Sequence, residues 1–151
     1  MVFEFIVASL VFFAIIIYIL NYINMAVFSY NNEYGISRME SHAMKISELL
    51  VKDKGLWNGI IPKRVGLARE WPVLDKTKIN NLESYCSNPL NYKNLLGLLN
   101  LGGHVMKLHI TNENNDVLLD CGPDFNETAK VIRYGIDSET NSLLKIVVKL
   151  R

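Results

Sequence analysis

The sequence predicts an α+β domain carried behind a long hydrophobic N-terminal helix, and three observations predict it. From Phe5 to Leu20 the chain reads FIVASLVFFAIIIYIL without a charge. Apolar residues then recur at helical spacing from Ile36 to Leu50. After Gly102-Gly103 the period shortens to two, the spacing of strands. The length of 151 residues allows one modest domain and one appendage, at about 100–200 residues per domain. Sixteen basic against fifteen acidic residues, a net charge of +1, leave no field to draw nucleic acid. A large enzyme, a polytopic channel and a disordered tail are excluded on the same arithmetic.

The first element is the apolar helix. Its character continues past Leu20, interrupted by Asn21 and Asn24, through Ile23, Met25, Ala26, Val27 and Phe28. A helix needs about 20 apolar residues to cross the hydrocarbon core, and residues 5–28 meet that length. Tyr18, Tyr22 and Tyr30 cluster at the far end, where an aromatic belt would lie. The roughly 120 remaining residues could hardly wrap such a helix on all sides, so its expected surroundings are membrane lipid or a filament core. A removable secretory signal has a basic start, about 7–15 apolar residues and a small-x-small cleavage site. No Lys or Arg precedes Arg38 and the run is longer, so the segment is expected to be retained. The expected division is residues 1–30 as anchor and 31–151 as a globular head.

Glu4 stands alone at the edge of the apolar run, followed by Phe5. A carboxylate near a helix N-terminus is favoured by the macrodipole, by roughly 0.3–1 kcal/mol. The alternative is functional: a Glu buried among neighbouring chains needs a partner, such as the α-amino group of an adjacent subunit. The start, an acidic residue before Phe-Ile-Val and a long apolar helix, resembles the type IV pilin-like proteins of archaea. Members of that family carry a class III signal whose short basic leader is removed by a prepilin peptidase. Their glutamate is usually the fifth residue of the mature chain, whereas Glu4 is the fourth here. Residues 43–50 (AMKISELL), 65–68 (VGLA), 74–82 (LDKTKINNL) and 91–98 (NYKNLLGL) follow an order similar to that of archaeal membrane-anchored pilin-like proteins. The resemblance implies a structural subunit (pilin, minor pilin or pseudopilin-like) of an archaeal pilus or related surface apparatus, with an extracytoplasmic head and no catalytic activity. Its implied partners are membrane lipid, other pilin-like subunits and the prepilin peptidase, and Glu4 and Phe5 are the implied assembly residues. The competing reading is a monomeric single-pass protein whose head binds a ligand or partner.

The head begins with an amphipathic helix bearing Ile36, Met39, Ala43, Met44, Ile46, Leu49 and Leu50, expected to continue the anchor, with Gly35 as a site for a kink. Residues 53–73 lack a period and hold Gly55, Gly59, Pro62, Gly66 and Pro72, so they read as a loop with one buried piece at Val65–Ala68. Trp57 and Trp71 either pack this loop onto the head or form a contact surface. Asp75 is an N-cap for a helix over Lys76–Tyr85, and Asn88-Pro89 starts another that stops before Gly102-Gly103. Four strands follow, at His104–Thr111, Val117–Cys121, Lys130–Ile136 and Leu143–Leu150. They predict a small antiparallel four-stranded sheet whose apolar face packs on the amphipathic helix and the two short ones.

Chemical motifs are absent from the sequence. His104 and His109, five apart on one expected strand, would point to opposite faces and could not share a metal; no HExxH or CxxC suggests zinc. No nucleophile elbow or phosphate loop is present, so no catalytic residue, metal or cofactor is expected. Cys86 and Cys121 form one bridge if the head is extracytoplasmic, or remain two buried thiols in a reducing compartment. Asn126-Glu127-Thr128 is the only N-x-[ST] sequon and makes Asn126 a candidate glycosylation site.

Overall fold

The computed structural model describes residues 2–151. The chain divides into two compact units, Met1–Ser37 and Arg38–Arg151. One helix, α1 (Val2–Lys52), contributes to both, and its hydrogen-bonded turns pass Gly35 without interruption.

In the first unit α1 keeps its large side chains exposed from Phe3 through Tyr34, apart from the partly buried Ile16. At 1.5 Å per residue, residues 5–28 span about 36 Å, enough to cross a hydrocarbon core of about 30 Å. The β-branched isoleucines and valines are mediocre helix formers in water, but in lipid a helix satisfies every backbone group internally. Tyr30 and Tyr34, one turn apart, stack with ring centroids 6.5 Å apart.

The second unit is α+β. Within it the last turns of α1 bury Ala43, Ile46, Ser47, Leu50 and Val51, a stripe at spacings of three and four. Ile36, Met44 and Leu49, expected on the packed face, point outward instead. At 100° per residue the stripe centred on Ala43, Ile46, Ser47 and Leu50 leaves Met44 and Leu49 beyond its two margins. Ile36, seven residues before Ala43, keeps the stripe's azimuth but belongs to the first unit. The buried Ser47 hydroxyl donates to the Met44 carbonyl (2.7 Å) and accepts from Arg133 Nε (3.3 Å), so its polarity is satisfied.

Residues 53–73 are not the loop expected. They form a hairpin, β1 (Leu56–Asn58) with β2 (Ile61–Arg64), and two short strands, β3 (Ala68–Glu70) and β4 (Val73–Leu74). Strands of two to four residues are too short to display a period, which is why pattern reading passes over them. Val65, Leu67 and Ala68 are buried, as the sequence suggests.

Two helices follow. In α2 (Lys76–Cys86) the Asp75 carboxylate accepts from the Thr77 amide at 3.0 Å, while Ile79, Leu82 and Tyr85 face the core. In α3 (Pro89–Leu98) Asn88 accepts from the Leu90 amide at 2.9 Å. This helix ends earlier than Gly102-Gly103, because Asn100 takes the left-handed conformation (φ 55°). The Leu101 amide then donates to Leu96 O and the Asn100 amide to Gly97 O, which closes the helix and satisfies those two carbonyls.

The remaining strands are β5 (Met106–Thr111), β6 (Val117–Cys121), β7 (Ala129–Asp137) and β8 (Leu143–Leu150). They form the expected antiparallel set, but the sheet is larger and mixed: six strands in the order β3-β4-β7-β8-β5-β6. The four-stranded antiparallel expectation is corrected by β4, which lies parallel to β7 through Val73↔Ile136 and Leu74↔Asp137, with β3 beyond it. One sheet face, with Met106, Leu108, Ile110, Leu119, Leu144, Ile146, Val148 and Leu150, shares a core with α1, α2 and α3.

Candidate functional site

The largest feature that asks for a partner is the apolar helix of the first unit. A soluble monomer seldom exposes a contiguous apolar patch beyond a few hundred Å². Here Phe5, Leu10, Val11, Phe13, Ile15 and Tyr18 are each more than half exposed, and at 100° per residue they lie on every side of the helix. Among the described residues α1 is the one helix long and apolar enough to cross a membrane, with a mean hydropathy of 2.7 over its most apolar stretch. Glu4 and Phe5 sit in its first turns with exposed side chains, and the carboxylate lies where the helix dipole favours negative charge.

Comparison of the chain with protein-family models, curated proteins and solved structures finds no match. The functional reading therefore rests on the chain's own residues.

In the head the two tryptophans part company. Trp57, on β1, is partly buried against the core, and its indole N–H donates to the Gly66 carbonyl at 3.0 Å. It is a packing residue that holds the β1–β2 hairpin to the chain behind it. Trp71 lies between β3 and β4, half exposed, beside a cavity of about 140 Å³ that Glu48, Val51, Lys52 and Arg133 also line. Glu48 is held below the usual carboxylate range, first by its hydrogen bond to Lys52 and then by that residue's charge. The structure does not bring Trp57 and Trp71 together into one cavity.

Cys86 and Cys121 are bonded to each other, with Cα atoms 5.4 Å apart. Asn126 is exposed in the irregular segment between β6 and β7. His104 precedes β5 rather than lying on it, so the opposite-face argument from strand spacing does not hold for it; its amide donates to Leu101 O in a turn. Among the described residues no three His, Cys, Asp or Glu side chains are gathered to hold a metal ion.

Sequence reading missed a group that the sheet assembles. Lys107 and His109 on β5, Lys130 on β7, and Lys145 and Lys149 on β8 line one cleft of about 310 Å³ with Val147 and Asp124. Lys107 Nζ lies 2.6 Å from Asp124 Oδ1 and 3.0 Å from Asp120 Oδ1. The hydrogen bond to Asp124 raises the Lys107 pKa and lowers that of Asp124. Glu127 is also held low, by its own backbone amide and then by Lys149 at 3.3 Å. These residues are scattered over 43 positions of sequence (107 to 149), and only strand register unites them.

Proposed function

We propose that the chain is a membrane-anchored structural subunit, a pilin, minor pilin or pseudopilin-like protein of an archaeal type IV pilus or related surface apparatus. The observation that carries the reading is a helix apolar on every side over residues 5–28, with its side chains exposed, ahead of a small α+β head. Such a helix is stable in a bilayer before assembly and among like helices afterwards, where close packing replaces lipid contact. Function then resides in packing, with other pilin-like subunits and membrane lipid as partners, and with no catalytic step. The Cys86–Cys121 bond fits a head on the oxidising, extracytoplasmic side. Glu4 and Phe5, in the first turns, are the assembly residues of this reading.

The test is expression with and without the prepilin peptidase, followed by mass measurement and by shearing of cells. A peptidase-dependent mass shift and protein in the sheared extracellular fraction support the subunit. Protein confined to the membrane, with one mass in both strains, overturns it in favour of a monomeric single-pass anchor with a binding head. The basic cleft on the sheet is the observation that favours this second reading.

A further inference from the structure

Three lysines stand side by side across the outer face of the sheet. The register places Lys107 opposite Lys149, and Lys149 opposite Lys130. Directly opposed residues share a face with their Cβ atoms about 4.5–5.5 Å apart, and like charges so placed destabilise a sheet. Four residues back along β8 and on the same face, beyond Val147, Lys145 adds a fourth ammonium to the cleft. An arrangement of this kind requires anions.

The chain supplies some of them. Asp124 and Asp120 meet Lys107, and Glu127 meets Lys149. Lys130 and Lys145 have no ion-pair partner among the described residues, and both are exposed. Four lysines against three carboxylates leave the cleft positive. At its floor Val147 is only 7 % exposed although it faces outward, flanked by Lys145 and Lys149 along β8. His109, opposite Val147, has a buried Nδ1 without a hydrogen-bond partner among the described residues; the Asp120 carboxylate stands 3.5 Å away.

The Lys107 contacts are unequal. Lys107 is largely enclosed, with 12 % of its side chain exposed, whereas Asp124 is 92 % exposed and comes from the irregular segment after β6. A carboxylate held by one ion pair on an open segment is easily displaced by a competing anion of higher charge.

We propose that this cleft binds a small phosphate-bearing anion, which is held by Lys130 and Lys145 and takes at Lys107 the place of the Asp124 carboxylate. A phosphate group brings up to two charges and three acceptor oxygens, so it serves several ammonium groups at once, where a carboxylate serves one or two. Lysine binds phosphate as a point charge and needs no planar match. The cleft volume, about 310 Å³, lies at the small end of the range for ligand pockets and leaves room for a compact organic part. The site is built from head residues alone, so its test stands whether or not the chain assembles into a filament.

The test is calorimetric titration of the full chain in neutral detergent micelles at low salt, with inorganic phosphate and then pyrophosphate. Saturable one-site binding, tighter for pyrophosphate, is expected. The Lys130→Gln/Lys145→Gln double variant should weaken it roughly tenfold or more, and Asp124→Asn should tighten it several-fold. The opposite signs separate recognition from misfolding, since damage to the head weakens binding in every variant. Absence of saturable heat overturns the proposal, as does equal affinity in the lysine double variant or weaker binding in Asp124→Asn. Repeating the pyrophosphate titration in phosphatidylcholine nanodiscs, with and without phosphatidic acid, distinguishes the source of the phosphate. Competition by phosphatidic acid supports the site with a lipid headgroup as its ligand; undiminished pyrophosphate binding supports it with a soluble one.

Discussion

Cys86, the last residue of α2, is bonded to Cys121, the last residue of the edge strand β6. The bond ties the helical layer to an edge strand that has only β5 as a sheet neighbour. It closes a loop across a sequence separation of 35 residues. In the chain-entropy view such a closure stabilises by about 3–4 kcal/mol. The Cys86→Ser/Cys121→Ser double variant should lose that amount in urea unfolding of the head. Peptide mapping without reductant, on protein alkylated in its native cells before lysis, should find the linked pair, and two freely alkylated thiols would contradict the bond.

Leu50 anchors the last turns of α1 in the head and is fully buried. Leu50→Ala should cost about 2–5 kcal/mol, the usual range for emptying such a site. Leu49→Ala, one position along and partly exposed, should cost under about 1 kcal/mol. Denaturant midpoints for the two variants check the register of the helix; equal losses would mean that the packed stripe is assigned wrongly.

Gly122 follows β6 with φ 101°, and a Cβ there would lie 2.2 Å from the Met106 carbonyl oxygen. The same Met106 carbonyl accepts the Tyr92 hydroxyl at 2.7 Å, so its oxygen cannot retreat without breaking that bond. Gly122→Ala should therefore destabilise the head by more than about 1 kcal/mol, through both strain and collision. Tyr92→Phe, which removes only the hydrogen bonds to Met106, should cost about 1 kcal/mol. Thermal unfolding of both variants gives the comparison.

Asp124 is held below its ordinary pKa of 3.8, first by the hydrogen bond from Lys107 and then by its charge. The sign follows: the folded state binds the proton less readily than the unfolded one. The pair's contribution is then present above the ordinary value and disappears as pH falls through the lowered one. Carboxyl NMR titration should place the Asp124 midpoint below 3.8. Lys107→Met should return it toward the ordinary range, and an unmoved midpoint would show that another group holds it.

Glu4 separates the anchor from the subunit. In a monomeric anchor its carboxylate lies at the interface and contributes a dipole interaction of roughly 0.3–1 kcal/mol. In a filament the same turn is surrounded by neighbouring chains, where a carboxylate needs a charged partner such as an adjacent N-terminal amine. Glu4→Gln should leave membrane insertion intact and reduce the protein in the sheared fraction. Equal amounts from wild type and variant would make Glu4 a dipole-capping residue alone.

By itself the sequence determined the features whose causes are local. The apolar run from Phe5 needs no tertiary partner to be recognised, because its length and lack of charge already set where it is stable. Asp75 and Asn88 cap their helices by bonds to amides two residues away, and β5 to β8 repeat with the period of the pleat. Tertiary structure decided what depends on residues remote in the chain. The strands β3 and β4 exist because β7 offers β4 a hydrogen-bonding edge, and no pattern within a two-residue strand encodes that. The lysine cleft is likewise a product of register. Lys107, Lys130 and Lys149 are unremarkable surface residues until β8 aligns them between β5 and β7, where their charges meet.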